Sequence, residues 1–123
     1  MNVSQHKAAF LASILKEGEH YAGILLGKDG HPDQHIILLP GDVEKDWEGS
    51  KSWAKSIGGE LPNRREQSLL IANLKGEFKA TWYWSSEPSG DGWAWCQSFS
   101  YGSQSIHHTG NALRARAVRR IIV

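Results

Sequence analysis

At 123 residues, with 40% hydrophobic and 22% charged side chains, the chain has ordinary globular composition and is long enough to enclose one domain's core. Its formal net charge of +1, from 14 basic and 13 acidic residues, excludes the basic surplus of a general nucleic-acid or membrane-surface binder. A single cysteine, Cys96, excludes an intrachain disulfide and a paired-cysteine metal site, and no apolar run reaches membrane-spanning length, so the cytoplasm is the expected compartment.

In chain order, Ser4 is expected to cap a short helix that carries Phe10, Leu11, Ile14 and Leu15 on one side, runs to Lys16 and is ended by Gly18. That strip is more than a frayed terminus needs, so it either packs on the domain or joins a second copy in a homodimer. The apolar runs Tyr21–Leu26 and His35–Leu39 flank Asp29-Gly30 and Pro32, which is hairpin chemistry. Asp46 is positioned to cap a helix with Trp47, Trp53, Ala54 and Ile57 available for burial, terminated by Gly58-Gly59. Asn63 and Glu66 stand at capping-box spacing before Leu69, Leu70, Ala72 and Leu74.

Four of the six tryptophans then fall within Thr81–Ser100, in two short segments around a Pro/Gly-rich turn. Extended residues two apart share a face, so Trp82 with Trp84, and Trp93 with Trp95 and Phe99, are expected to build one tryptophan wall on an aromatic hairpin, its Trp82/Trp84/Trp95/Phe99 face largely buried and Trp93, at the strand's start, bending either inward or out to solvent. Ser105–Asn111 reads as a loop, and Arg114–Val123 as one closing strand with Arg114, Arg116 and Arg120 on a common face. Helix, hairpin, two helices and further antiparallel strands make an α+β arrangement, with residues 1–18 as an N-terminal helix and 19–123 as the main domain.

Trp53-Ala54, Gly58-Gly59-Glu60-Leu61-Pro62-Asn63-Arg64-Arg65-Glu66, Tyr83-Trp84-Ser85-Ser86, Ala94-Trp95 with Phe99, Tyr101-Gly102 and Arg116-Ala117-Val118-Arg119 follow one another in an order that resembles the Lcl C-terminal-like domain family. The resemblance covers roughly Trp47 to Arg120. It implies a C-type-lectin-like fold, antiparallel sheets with two central helices, related to that of the formylglycine-generating enzymes, in a bacterial and phage group of unassigned function.

Little chemistry comes with that fold. Formylglycine-generating enzymes use a pair of reactive cysteines, and Cys96 stands alone. Glu87-Pro88-Ser89 echoes the Glu-Pro-Asn-like triplet of calcium-dependent lectins, but Trp93-Ala94-Trp95-Cys96 offers no oxygen ligands after it. His31, Asp33 and His35 at alternate positions suit a metal only if extended, and Pro32 interrupts them. Neither a nucleophile elbow nor a phosphate loop is present, so no catalytic residue, metal or other cofactor is expected.

A non-catalytic recognition module remains, of the kind the family's stand-alone phage or prophage versions suggest. Its long loops, Ser86–Gly92 and Gly102–Asn111, are expected to present Glu87, Trp93, Tyr101, His107 and His108 to a protein partner, in a host-interaction or anti-defence role. Two alternatives stand beside it: a carbohydrate-binding or virion-surface module stacking the tryptophans on sugar rings, and a nucleic-acid or acidic partner met by the C-terminal arginines. Those arginines equally suit a structural role, bridging to Glu66 or to loop carbonyls.

Overall fold

The computed structural model describes residues 2–123. Helix α1, Val3–Ile14, starts two residues earlier than Ser4 requires. Asn2 is the cap: its side chain accepts from Gln5 N and Gln5 Oε1 accepts from Asn2 N, both at 2.8 Å, so two end donors are satisfied reciprocally. At Leu15 the backbone turns extended, and the guanidinium of Arg119 donates to Ile14 O, ending the helix before Lys16 and Gly18. No residue of α1 is fully buried; Phe10 leans on the rings of His35 and Tyr21, at 4.9 and 6.0 Å between centroids.

The first hairpin forms as read, β1 (His20–Leu25) against β2 (Gln34–Leu38), with the turn at Asp29 and Gly30 in the left-handed region. A bulge between Tyr21 and Gly23 kinks β1, and the far side of β2 takes β8 (Val118–Ile122) to complete a three-stranded sheet. Helix α2 (Trp47–Ser56) follows the short strand β3 (Val43–Lys45); Asp46 caps it and Gly58, at φ +86°, turns the chain away. Trp47 and Ala54 are buried, Trp53 is half-buried and Ile57 remains exposed. Helix α3 (Arg64–Leu74) opens on the Asn63/Glu66 capping box, both bonds at 2.8 Å.

The aromatic hairpin is β4 (Trp82–Pro88) with β5 (Trp93–Ser98). It is the middle of a five-stranded sheet of order β3-β7-β4-β5-β6, in which β6 is Gln104–His108 and β7 is Leu113–Ala115. All neighbours are antiparallel except β7, which meets β4 in parallel at Tyr83 and Arg114. Two apolar clusters sandwich the sheet: Trp84, Ala94, Cys96 and Ala115 pack with Trp47 and Ala54 of α2, while Tyr83 and Phe99 pack with Leu70 of α3 and with Ala22, Ile36 and Leu38 of the smaller sheet. Among the described residues no helix is long and apolar enough to cross a membrane.

Three expectations are corrected here. The tryptophan wall divides, because the register sets Trp84 opposite Cys96 and Trp82 opposite Ser98, so Trp93 and Trp95 emerge on the other side of the sheet. Trp84 and Phe99 are buried, whereas Trp82 and Trp95 are half-buried and Trp93 is exposed. The expected loop from Ser105 is strand β6, so the connections around it are short turns, and Ser86–Pro88 likewise belongs to β4. Finally, Arg114–Val123 is two strands in two different sheets, broken at Arg116-Ala117, which disperses the arginines.

Candidate functional site

Alternation along β5 and β6 puts Trp93, Trp95 and Gln97 on one face, opposite His108, Ile106 and Gln104 respectively. α3 covers only one end of that face. There the backing is tightly bonded: the Gln97 amide donates to Gln67 O, Gln104 donates to Gln97 Oε1 and to Arg64 O, and Arg64 Nε donates back to Gln104 Oε1. Beyond the helix the face runs into solvent. The Arg64 guanidinium lies 3.5 Å above the Trp95 ring, Trp93 is 43% exposed and Ile106 39% exposed. Trp93 meets His108 edge to face, with centroids 5.7 Å apart.

The result is an aromatic ledge with a cation stacked on it, held on hydrogen-bonded strands rather than on loops. Beside it, a shallow cleft of about 630 Å³ at the start of α3 is lined by Asn63, Arg64, Arg65, Ser68, Glu87 and Gln104. Neither Arg64 nor Arg65 makes an ion pair with a carboxylate among the described residues. Arg65 instead donates to Leu26 O.

Of the five residues singled out in the sequence, Trp93 and His108 come together on this ledge. Glu87 lies in the adjoining cleft, where its carboxylate accepts from Arg64 N at 2.7 Å and so steadies the helix end that carries Arg64. Tyr101 is 91% exposed in the turn between β5 and β6. His107 is not a loop contact residue. It points through to the opposite face, where its Nδ1 lies 3.1 Å from Cys96 Sγ and its ring 5.5 Å from that of Trp82. Sequence reasoning missed Trp95, Ile106 and Arg64; the lone apolar Ile106 in a polar stretch was the available signal for an open strand face.

The C-terminal arginines are staples. Arg114 pairs with Asp42 at 2.7 Å, Arg116 donates to Glu77 O and Leu39 O, Arg119 grips both oxygens of Glu19, and Arg120 grips both oxygens of Glu66 and one of Glu60. The suggested His31, Asp33 and His35 set is pulled apart: His35 Nδ1 lies 2.9 Å from Tyr21 OH, and Asp33 accepts from Gly27 N in the turn. Among the described residues no group of three or more His, Cys, Asp and Glu side chains is placed to hold a metal ion.

Cys96 is fully buried, and burial pushes its thiol up to about 12; burial likewise raises the Tyr83 phenol to about 12, helped by its bond to Asp42. Both groups keep their protons in the folded chain at pH values where the unfolded chain loses them. Their stabilisation is therefore complete below pH 9.0, the thiol's ordinary value, and is lost progressively as pH rises above it. Thermal melts should show a midpoint that falls above that pH, with a shallower fall in Cys96→Ala; a midpoint unchanged well above pH 10.0, where free tyrosine also ionises, contradicts this.

No protein-family model matches the chain, and no curated protein matches it.

Proposed function

We propose that this chain is a non-catalytic recognition module that binds a protein partner through the outer face of β5 and β6. The observation that carries the reading is the open ledge itself: Trp93 and Ile106 stay exposed although the strands beneath them are rigidly bonded, and Arg64 lies over Trp95 beside them. Tryptophan and arginine on a preorganised surface are the residue types that dominate protein–protein binding energy. The arginine strand is the weaker candidate because each of its guanidiniums already serves an internal acceptor.

The motif order supports membership of the Lcl C-terminal-like family and, with it, a C-type-lectin-like fold. Gly58 ends α2, Asn63 opens α3, Tyr83-Trp84-Ser85 lies buried on β4, and in the Arg116–Arg119 run Arg116 donates to Leu39 O and Arg119 to Ile14 O. On that resemblance the natural setting is a bacterial cytoplasm and a phage or prophage protein acting on a host component.

The test is capture of partners from bacterial lysate by the intact chain, followed by affinity measurement on the partner identified. Trp93→Ala should weaken that complex by about 2 kcal/mol or more, roughly thirtyfold, while leaving the melting temperature nearly unchanged. Unaltered affinity in Trp93→Ala, with a salt-sensitive loss in Arg114→Ala, would transfer the reading to the arginines and an acidic partner. Binding to a glycan array that is lost with Trp93 would identify a sugar ligand instead.

A further inference from the structure

We infer that β6 is a self-pairing edge through which two copies of this chain join their five-stranded sheets, antiparallel about Ile106. The bonds Thr109 N to Gly92 O and Ser98 N to Ser103 O bracket the β5–β6 ladder. Because bonded and non-bonded pairs alternate in an antiparallel ladder, Ser105 and His107 spend their backbone groups on β5. Gln104, Ile106 and His108 therefore aim theirs outward from the sheet, where His108 O already accepts from Asn111 N at 3.0 Å in the following turn and the groups of Gln104 and Ile106 lead the edge.

Three features select a second copy as the occupant. The outward residues are self-complementary: a two-fold axis at Ile106 sets Ile106 against its counterpart and Gln104 against His108, so every outward residue meets an outward residue. The strand, Gln-Ser-Ile-His-His, contains no lysine, arginine, aspartate or glutamate, so two copies meet without opposed fixed charges. It is also the least protected sheet edge among the described residues. β3 is three residues long and carries Glu44 and Lys45 just after Pro40, β1 is kinked by its bulge with Asn73 bonded to Ala22 O, and β8 is bridged by Glu60 at Val118 and carries Arg119 and Arg120. These are the usual devices that stop edges from pairing, and β6 has none of them.

An axis perpendicular to the sheet leaves both outer faces on the same side. Ile106 side chains then touch across the dyad, and the two Trp93/Trp95 ledges become one continuous, two-fold platform, so that a partner can engage both.

Light scattering and sedimentation of the full chain across the micromolar range test this, with a limiting mass twice the 13.7 kDa chain expected. Ile106→Pro is the informative variant, because it deletes an outward N–H and leaves the inward ladder intact, the position where an edge strand tolerates proline. It should raise the dimer dissociation constant at least about tenfold with circular dichroism unchanged. Should it unfold the chain, Ile106→Lys serves instead, by placing two ammonium groups at the axis. A monomer at all concentrations overturns the inference, as does a dimer that survives these substitutions or is split by Phe10→Asp on α1. Trp93→Ala should leave the dimer mass unaltered, so loss of partner binding in that variant speaks to the ledge and not to the edge.

Discussion

Trp84→Ala is expected to destabilise the protein by about 3–5 kcal/mol, the range for removing a large aromatic side chain from a packed core. Trp84 is completely buried between α2 and the sheet, packed in the cluster of Trp47, Ala54 and Cys96, and its indole N–H donates to Lys45 O at 3.1 Å. Truncation would therefore leave a cavity and remove that bond, Lys45 O keeping its bond from Ser50 Oγ at 3.4 Å. Trp95→Ala should cost far less, of order 1 kcal/mol, since that ring is only half-buried and carries the Arg64 guanidinium on its face. Urea unfolding of the two variants decides the matter, and equal losses would contradict the division of the tryptophans between the two faces of the sheet.

Glu66→Ala should rival it, at about 3–5 kcal/mol, as happens when one partner of a buried ion pair is removed. One buried carboxylate here serves two structures at once. Its Oε1 accepts from Asn63 N to complete the α3 cap and from Arg120 Nη2, while its Oε2 accepts from Arg120 Nε. Glu66 is fully buried, so its loss strands the Arg120 guanidinium with only the exposed Glu60 for company. Glu66→Gln keeps the cap acceptor and removes the charge, and should fall between the alanine variant and the parent. A double-mutant cycle with Arg120→Ala measures the coupling; a coupling near zero would show that the cap and not the ion pair carries the effect.

The same two sites show how far the sequence was legible. Helix starts are legible because they depend on residues three apart in the chain: Asp46 and Asn63 cap where the spacing predicts, whereas at α1 the cap is Asn2 and not Ser4, a similar side chain two residues on. The hairpins were readable because turn residues and apolar runs adjoin each other. The ledge was half legible. Parity within β5 marks Trp93 and Trp95 as one face, but whether that face joins Trp84 in the core depends on the register between the two strands, which parity along each strand does not contain.

Local chemistry therefore determined the helices and the two hairpins, the caps Asp46 and Asn63, the α+β class and the pairing of Trp93 with Trp95 on one face of their strand. Tertiary structure decided the rest. Which face of β5 meets α2 depends on the register against β4, and on the bulge that shifts it between Trp84 and Pro88. Whether Gln104–His108 is strand or loop depends on β5 being present to receive its hydrogen bonds, since a polar pentapeptide has no apolar pattern of its own. Whether the C-terminal arginines form a basic strip or internal staples depends on the interruption of the strand at Arg116-Ala117, which sends β7 and β8 into different sheets and brings each guanidinium to an acceptor remote in sequence, such as Asp42, Leu39 O, Glu19 or Glu66. Such long-range meetings leave no periodic trace in a sequence, because they are selected by the packing of whole sheets and not by neighbours along the chain.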